Sequence, residues 1–468
     1  MNEGQLTRRL IDKNTWWADP AWEQDDPDLR PLRSSPLDYR PDPLRDIGPD
    51  GLYLLTGPRR VGKSVEIKRA IASLLRSGIE PHRLVYFSCD SLRASDVRTL
   101  LRRGRTMFTS VDQPRYWFID EVTALPGWHA VIKDERDTTA LRDDCVVLTG
   151  SSSTGLQEGI ADLAGRHGTE TASQERLLLP MTFRSFCDAT GVPGPDAAEP
   201  PIRPRDVFSS TQAIEDSQLH WPALADAWEN YLRIGGYPRA VIDYVSTGDV
   251  QRRFVQDLWD VVRGEAFKTM RSTPPEVLAL FGRLTANLTT PVNLSRLARD
   301  VGLANNRAAD GRITDLVSAF LGFRCYQDHE GRPNMSAQRK FYFVDPLVAR
   351  LAHLMEEAYP EPDASALSEQ QLALALNRAL ERERPGAFIE LTEVRHWVNR
   401  TTRTEIDFVG SRLGRGFESK YVDGSWRGES RTLAARGKGG VVATRSVLAL
   451  DEDMVAVPTG LLVHLLGA

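Results

Sequence analysis

Eight residues, GPRRVGKS from Gly57 to Ser64, constrain this chain more than any other segment. They satisfy GxxxxGK[ST]. The preceding run GLYLLTG reads as a strand and the following KSVEIKRAIASLLRSG as a helix, which is the setting in which such a loop cradles phosphate. Gly57 and Gly62 let the backbone curl so that successive amides point inward, and the helix opening near Lys63 adds the favourable field of its N-terminus. The expected cofactor-binding set is Gly57, Pro58, Arg59, Arg60, Val61, Gly62, Lys63, Ser64 and Val65. Within it, Lys63 bridges the β- and γ-phosphates and Ser64 offers its hydroxyl to Mg²⁺. Arg59 and Arg60 either touch phosphate or form a solvated face of the loop.

A second motif completes this reading. YWFIDE is an apolar strand ending in Asp120 and Glu121. Asp120 is placed to anchor Mg²⁺ and Glu121 to polarise an attacking water, an arrangement that favours hydrolysis over simple nucleotide switching. No NKxD guanine signature occurs, so ATP is the expected nucleotide. The RLVYFSCD run falls between the two motifs and is taken as an additional central strand of the sheet. Ser151, after CVVLTG, is read either as a γ-phosphate sensor or as a helix N-cap. Arg166 is read either as a catalytic cation, in cis or from a neighbouring subunit, or as a surface ion pair.

With 468 residues the chain exceeds one core, so several domains are expected. Its net charge of −5 gives no global attraction to nucleic acid and leaves only a local basic face to provide one. Four cysteines without a CxxC pair suggest neither a disulfide framework nor a zinc site. No window approaches 18 uncharged apolar residues, so a cytoplasmic protein without membrane spans is expected.

The fold class expected is α/β, a P-loop core on a parallel sheet followed by two smaller units. Residues 1–45, rich in Pro, Asp and Trp, read as an extended arm pinned by aromatics to a domain surface. Residues 46–190 alternate strand and helix patterns as in a mononucleotide-binding domain. Residues 191–275 form a linker and helical segment, and 276–356 have the outline of a winged helix: helix, turn at Gly302, helix, then strands ending in KFYFVD. There Arg296, Arg299, Arg307 and Arg312 are positioned for phosphates, but Asp300, Asp310 and Asp315 interleave with them, as suits a packing module. Residues 362–468 read as a further α/β domain.

Taken in order, GPRRVGKS, FIDEV followed by Trp128 and Lys133, LTGSSS, LAGR, LPMTFRSF and YLRIGGYPRAV resemble the prokaryotic AAA-type ATPases that carry a C-terminal domain of unknown function. The resemblance runs from about Leu52 to the end. It implies an AAA-like core, a winged helix and a domain similar to restriction-endonuclease folds. In that last domain TEIDFVG and RGFESKY place Asp407, Glu418 and Lys420 on adjacent strands. Two carboxylates and a lysine at a sheet edge can hold Mg²⁺ and activate water, with Asp407 and Glu418 as metal ligands. This resembles the D…ExK core of PD-(D/E)xK nucleases. The pattern departs from that core in the helix QLALALNRAL, which lacks the expected carboxylate; Glu369 or Glu381 are the candidates to substitute, though neither lies at the matching place. Two functions are therefore expected in competition. One is ATP hydrolysis that drives a conformational or assembly change positioning a nuclease-like domain on nucleic acid, in defence or genome maintenance. The other is a nucleotide-controlled switch or scaffold that binds DNA or a protein without cutting. DNA and further copies of the chain are the expected partners.

Overall fold

A computed structural model describes residues 1–109, 113–151, 163, 175–195, 200–270, 273–385, 388, 392–399, 401–402, 404–422, 426–428, 432–433 and 439–468. The backbone forms two compact units, Met1–Leu179 and Pro180–Ala468. Among the described residues, no helix is long and apolar enough to cross a membrane.

The first unit is built on five strands, β1 (Leu52–Thr56), β2 (Leu84–Ser88), β3 (Tyr116–Asp120), β4 (Cys145–Gly150) and β5 (Glu175–Leu177). They lie in the order β2-β3-β4-β1-β5, every neighbouring pair parallel. Strands covered on both faces read as continuous apolar runs, and LYLLT, YWFID and CVVLTG are buried at every position. The strand inserted between the phosphate loop and the carboxylate motif is β4, whereas β2 sits at the edge. The place of 84–88 between the motifs along the chain favours a central strand, and the sheet puts it at the edge. A helical crossover long enough to span the sheet decouples chain order from sheet order.

An open edge strand exposes a row of unpaired backbone groups. Here the amino-terminal segment satisfies them. It is not extended: helix α1 (Glu3–Lys13) starts with an Asn2–Gln5 capping box and runs into short helical turns at Thr15–Trp17 and Trp22–Gln24. Asn14 mimics a strand, its Nδ2 donating to Tyr86 O at 2.8 Å while Tyr86 N donates to its Oδ1 at 2.7 Å. Both Trp16 and Trp17 donate their indole N–H to Leu84 O, and Arg9 reaches Ser88 O at 3.2 Å. Asn14 is completely buried. Asn14→Ala therefore leaves Tyr86 N and O unpaired in the interior and is expected to cost about 2–3 kcal/mol, measurable by denaturant unfolding. A loss below about 0.5 kcal/mol, the size of an ordinary surface substitution, would show that this edge does not depend on Asn14.

The second unit is organised by one sheet in the order β13-β14-β12-β11-β10-β9-β6-β7, with β8 paired to β6. Its strands are β6 (Gly322–His329), β7 (Arg332–Asn334), β8 (Lys340–Phe343), β9 (Arg395–Val398), β10 (Glu405–Val409), β11 (Gly416–Lys420), β12 (Gly440–Thr444), β13 (Ala449–Leu450) and β14 (Met454–Pro458). The parallel pairing of β6 with β9, Tyr326 opposite Arg395, carries the sheet across the boundary expected near 356–362. Buried Arg395 secures that junction through Asp328, 2.8 Å away. The IGGYP turn is explained by close approach. A Cβ on Gly236 would lie 2.4 Å from Met181 O and one on Gly235 2.2 Å from Asp345 Oδ1. Asp345 then accepts from Gly236 N at 2.7 Å. That motif is a packing joint.

Candidate functional site

The loop after β1 turns into helix α2 (Lys63–Arg76) with the geometry a phosphate demands. Gly57 has φ +146°, and a Cβ there would stand 1.9 Å from Leu178 O, so only glycine fits. Gly62 caps α2 in the left-handed region at φ +101°. The ammonium of Lys63 is buried in the loop it serves, donating to Gly57 O at 2.7 Å and Pro58 O at 2.8 Å. Val61 is buried beneath the loop, Arg60 is exposed, and Arg59 and Val65 are half-buried.

Asp120 ends β3 beside this loop and is buried. Ser64 Oγ donates to its Oδ2 at 2.8 Å, Tyr86 OH to the same oxygen at 3.1 Å, and Thr149 Oγ1 to Oδ1. Glu121 follows in the left-handed region, φ +53°, a strained setting for a residue with a Cβ. Its N–H is pinned by Thr149 Oγ1 at 2.9 Å. Its carboxylate accepts from Ser151 Oγ at 2.7 Å and lies 3.5 Å from the Arg59 guanidinium. Thus Ser64, Asp120, Thr149, Glu121, Ser151 and Arg59 form one connected set, Ser151 meets Glu121 directly, and Lys63 is held on the loop carbonyls. Arg166 lies outside the described residues. A glycine-built loop that opens a helix and holds a lysine, beside a hydroxyl and a carboxylate already 2.8 Å apart, fits a nucleotide with Mg²⁺. Thr149 and Tyr86 were not anticipated. The signal for Thr149 was a hydroxyl closing an otherwise apolar strand run; Tyr86 carried none, since a tyrosine in a strand is ordinary.

The carboxylates of the second unit gather around a different cation. Lys340, on β8 and only 1 % exposed, places Nζ 2.7 Å from Glu405 Oε1, 3.1 Å from Glu369 Oε1 and 3.4 Å from Asp407 Oδ1. Tyr342 OH donates to Glu369 at 2.6 Å and Ser419 N to Asp407 Oδ2 at 2.9 Å. Burial, then the neighbouring Asp407, pushes Glu369 above its ordinary range. Burial alone would lower the Lys340 ammonium, but attraction to Glu369, Asp407 and Glu405 outweighs it and leaves the group raised. Glu369 belongs to a helix, Ala364–Glu383, and shares the Lys340 ammonium with Asp407. Glu381 goes elsewhere, accepting from Phe388 N at 2.6 Å. The Phe408–Phe417 pairing puts Asp407 and Glu418 in register on β10 and β11; Glu418 is buried and Lys420 half-buried at the strand end. Among the described residues, no three His, Cys, Asp or Glu side chains converge as a metal-holding set.

Ahead of β6, helices α3 (Pro274–Thr285), α4 (Leu294–Val301) and α5 (Asn306–Ser318) pack together. Their arginines are largely engaged with acids. Asp300 pairs with Arg283, with Arg296 at 3.7 Å and with Arg299 at 3.5 Å, and Asp310 pairs with Arg324 at 2.9 Å. Arg307 is exposed and Arg312 half-buried.

Residues 50–187 match a family described as AAA domain, and residues 225–357 match a domain of unknown function, DUF8612. An uncharacterised protein of Methanocaldococcus jannaschii is 31 % identical over 199 residues, 41 % of this chain and 39 % of that protein. An uncharacterised protein of Haemophilus influenzae is 23 % identical over 305 residues, 63 % of this chain and 68 % of its own length. The chain thus spans well under half of the archaeal relative. A solved structure, the Walker-type ATPase of Pyrococcus abyssi, superposes with a TM-score of 0.41 at 13 % identity, over 72 % of this chain and 95 % of that one. The segment that matches the AAA domain model, 50–187, is also the one that carries the glycine-built loop and Lys63, as a P-loop nucleotide-binding domain would.

Proposed function

We propose that this chain binds Mg²⁺-ATP at Gly57–Val65 and hydrolyses it. The observation that carries this is the hydrogen-bonded set Ser64–Asp120–Thr149–Glu121–Ser151 beside a Lys63 folded onto its own loop carbonyls. Lys63 would leave its loop carbonyls for phosphate oxygens, Ser64 and Asp120 would hold the metal, and Glu121 orients a water and accepts its proton. The metal, when bound, neutralises charge on the phosphates. Ser151 and Arg59 fix the Glu121 carboxylate, and Arg166 is proposed as the further cation, in cis or from a second copy. Lys63→Ala is expected to weaken Mg²⁺-ATP binding about tenfold or more, the loss of a charge-assisted phosphate contact. Calorimetric titration with a non-hydrolysable analogue checks this, and wild-type affinity in the variant would reject the site.

In this reading the cycle drives a conformational or assembly change that brings the 180–468 unit onto nucleic acid, through a winged helix at 276–356 and a PD-(D/E)xK-like domain at 362–468. Cleavage would then use Asp407, Glu418 and Lys420. A second reading, a nucleotide-controlled switch that binds DNA or protein without cutting, is favoured by Lys340. Its ammonium already neutralises Asp407, which the first reading needs for Mg²⁺. Plasmid and single-stranded DNA separate the two. Cleavage lost in Lys420→Ala supports the nuclease; nucleotide-dependent DNA retention with no cleavage in Mg²⁺ or Mn²⁺ supports the switch.

A further inference from the structure

We infer that Tyr86 is a positioning residue of the nucleotide site, and that the amino-terminal arm holds it there. This rests on the ATP reading above and assigns a role to a residue that no motif marks. Asp120 is a buried carboxylate, and its orientation is set by three hydroxyl donors: Ser64, Thr149 and Tyr86. Ser64 Oγ would also be the oxygen offered to a metal, through the lone pairs that donation to Asp120 leaves free. Tyr86 and Thr149 are the two donors with no such second task, one on each carboxylate oxygen. A buried carboxylate short of donors swings toward whatever polar group it can reach, so the tyrosine defines where Asp120 points.

Tyr86 is itself held from the opposite side. Its backbone N–H and C=O are both paired with the Asn14 side chain. The Lys68 ammonium lies 4.2 Å from the Tyr86 ring centre and 4.8 Å from that of Trp16, and pairs with Asp26 at 3.3 Å. Lys68 and Asp26 are both nearly inaccessible to solvent. Asn14, Trp16 and Asp26 all belong to the arm, so the arm clamps backbone and ring of a residue whose hydroxyl reaches Asp120. The arm thereby becomes part of the nucleotide site rather than a cover for its sheet edge alone.

The test compares wild type with Tyr86→Phe, and with Asn14→Ala assayed below its melting midpoint. Affinity for a fluorescent ADP analogue is measured in EDTA and in Mg²⁺, together with kcat and KM for ATP. Tyr86→Phe is expected to keep the EDTA affinity within about twofold, to lose most of the gain that Mg²⁺ adds, and to lower kcat about tenfold with little change in KM, the size of one hydrogen bond to a charged acceptor. Asn14→Ala is expected to move the same quantities in the same direction by a smaller factor. A Tyr86→Phe protein with the wild-type Mg²⁺ gain and wild-type kcat overturns the inference, as does an Asn14→Ala protein that is unchanged in both. Should Tyr86→Phe prove unfolded, the Asn14→Ala result decides. Wild-type protein that binds no nucleotide would instead remove the ATP reading on which the inference stands.

Discussion

Glu121→Gln is expected to bind ATP as tightly as wild type and to hydrolyse it at least about a hundredfold more slowly, the usual contribution of a positioned general base. The amide keeps the shape of the side chain and one acceptor oxygen for Ser151 Oγ, which now donates to Glu121 Oε1 at 2.7 Å. It cannot take a proton from water. The strained left-handed backbone at Glu121 is retained, because the Thr149 hydroxyl that fixes its N–H is untouched. The effect should therefore fall on turnover and leave affinity alone, the signature of an interaction needed only in the transition state. Single-turnover hydrolysis against equilibrium binding measures both. A variant that hydrolyses at more than about a tenth of the wild-type rate would shift the base to another group.

Lys340→Met is expected to destabilise the 180–468 unit by about 3–5 kcal/mol, the cost of removing one partner from a buried ionic cluster. Glu369, Glu405 and Asp407 would be left facing one another without a cation, and each now lies within 3.4 Å of the same ammonium. Adding Glu369→Gln to the methionine variant removes one of the stranded charges and should recover part of the loss; two independent sites would instead add. Denaturant unfolding followed by intrinsic fluorescence reads the difference. A Lys340→Met protein as stable as wild type would mean that the carboxylates are neutralised without the lysine. It would also reopen the cluster to a metal.

How far the sequence reached depended on how local each feature is. The phosphate loop was legible because its chemistry lies within eight contiguous residues flanked by strand and helix patterns, and the geometry at Gly57, Gly62 and Lys63 follows from that local context. Asp120 and Glu121 were legible for the same reason. The position of β4 between β1 and β3 was not, because parallel strands joined by helices leave no trace of their lateral order in the intervening residues. Proline and aspartate content favours an extended arm, yet the Asn2–Gln5 capping box and the periodic Leu6 and Leu10 favour a helix there, and both leucines are buried. In the second unit, the step from β6 to β9 joins residues some seventy positions apart, and Lys340 reaches Glu405 and Asp407 over a similar separation. Such pairings are set by tertiary packing. A lysine in a KFYF strand looks like an edge residue until the sheet around it is complete.

The central claim is that Gly57–Ser64 with Asp120 and Glu121 hydrolyses Mg²⁺-ATP, and phosphate release from ATP by the purified chain, in Mg²⁺ and in EDTA, tests it most directly. The expected result is release by wild type in Mg²⁺ alone, with Lys63→Ala and Glu121→Gln both reduced to the level seen in EDTA. Release by either variant at the wild-type rate, or none by wild type in Mg²⁺, would contradict it.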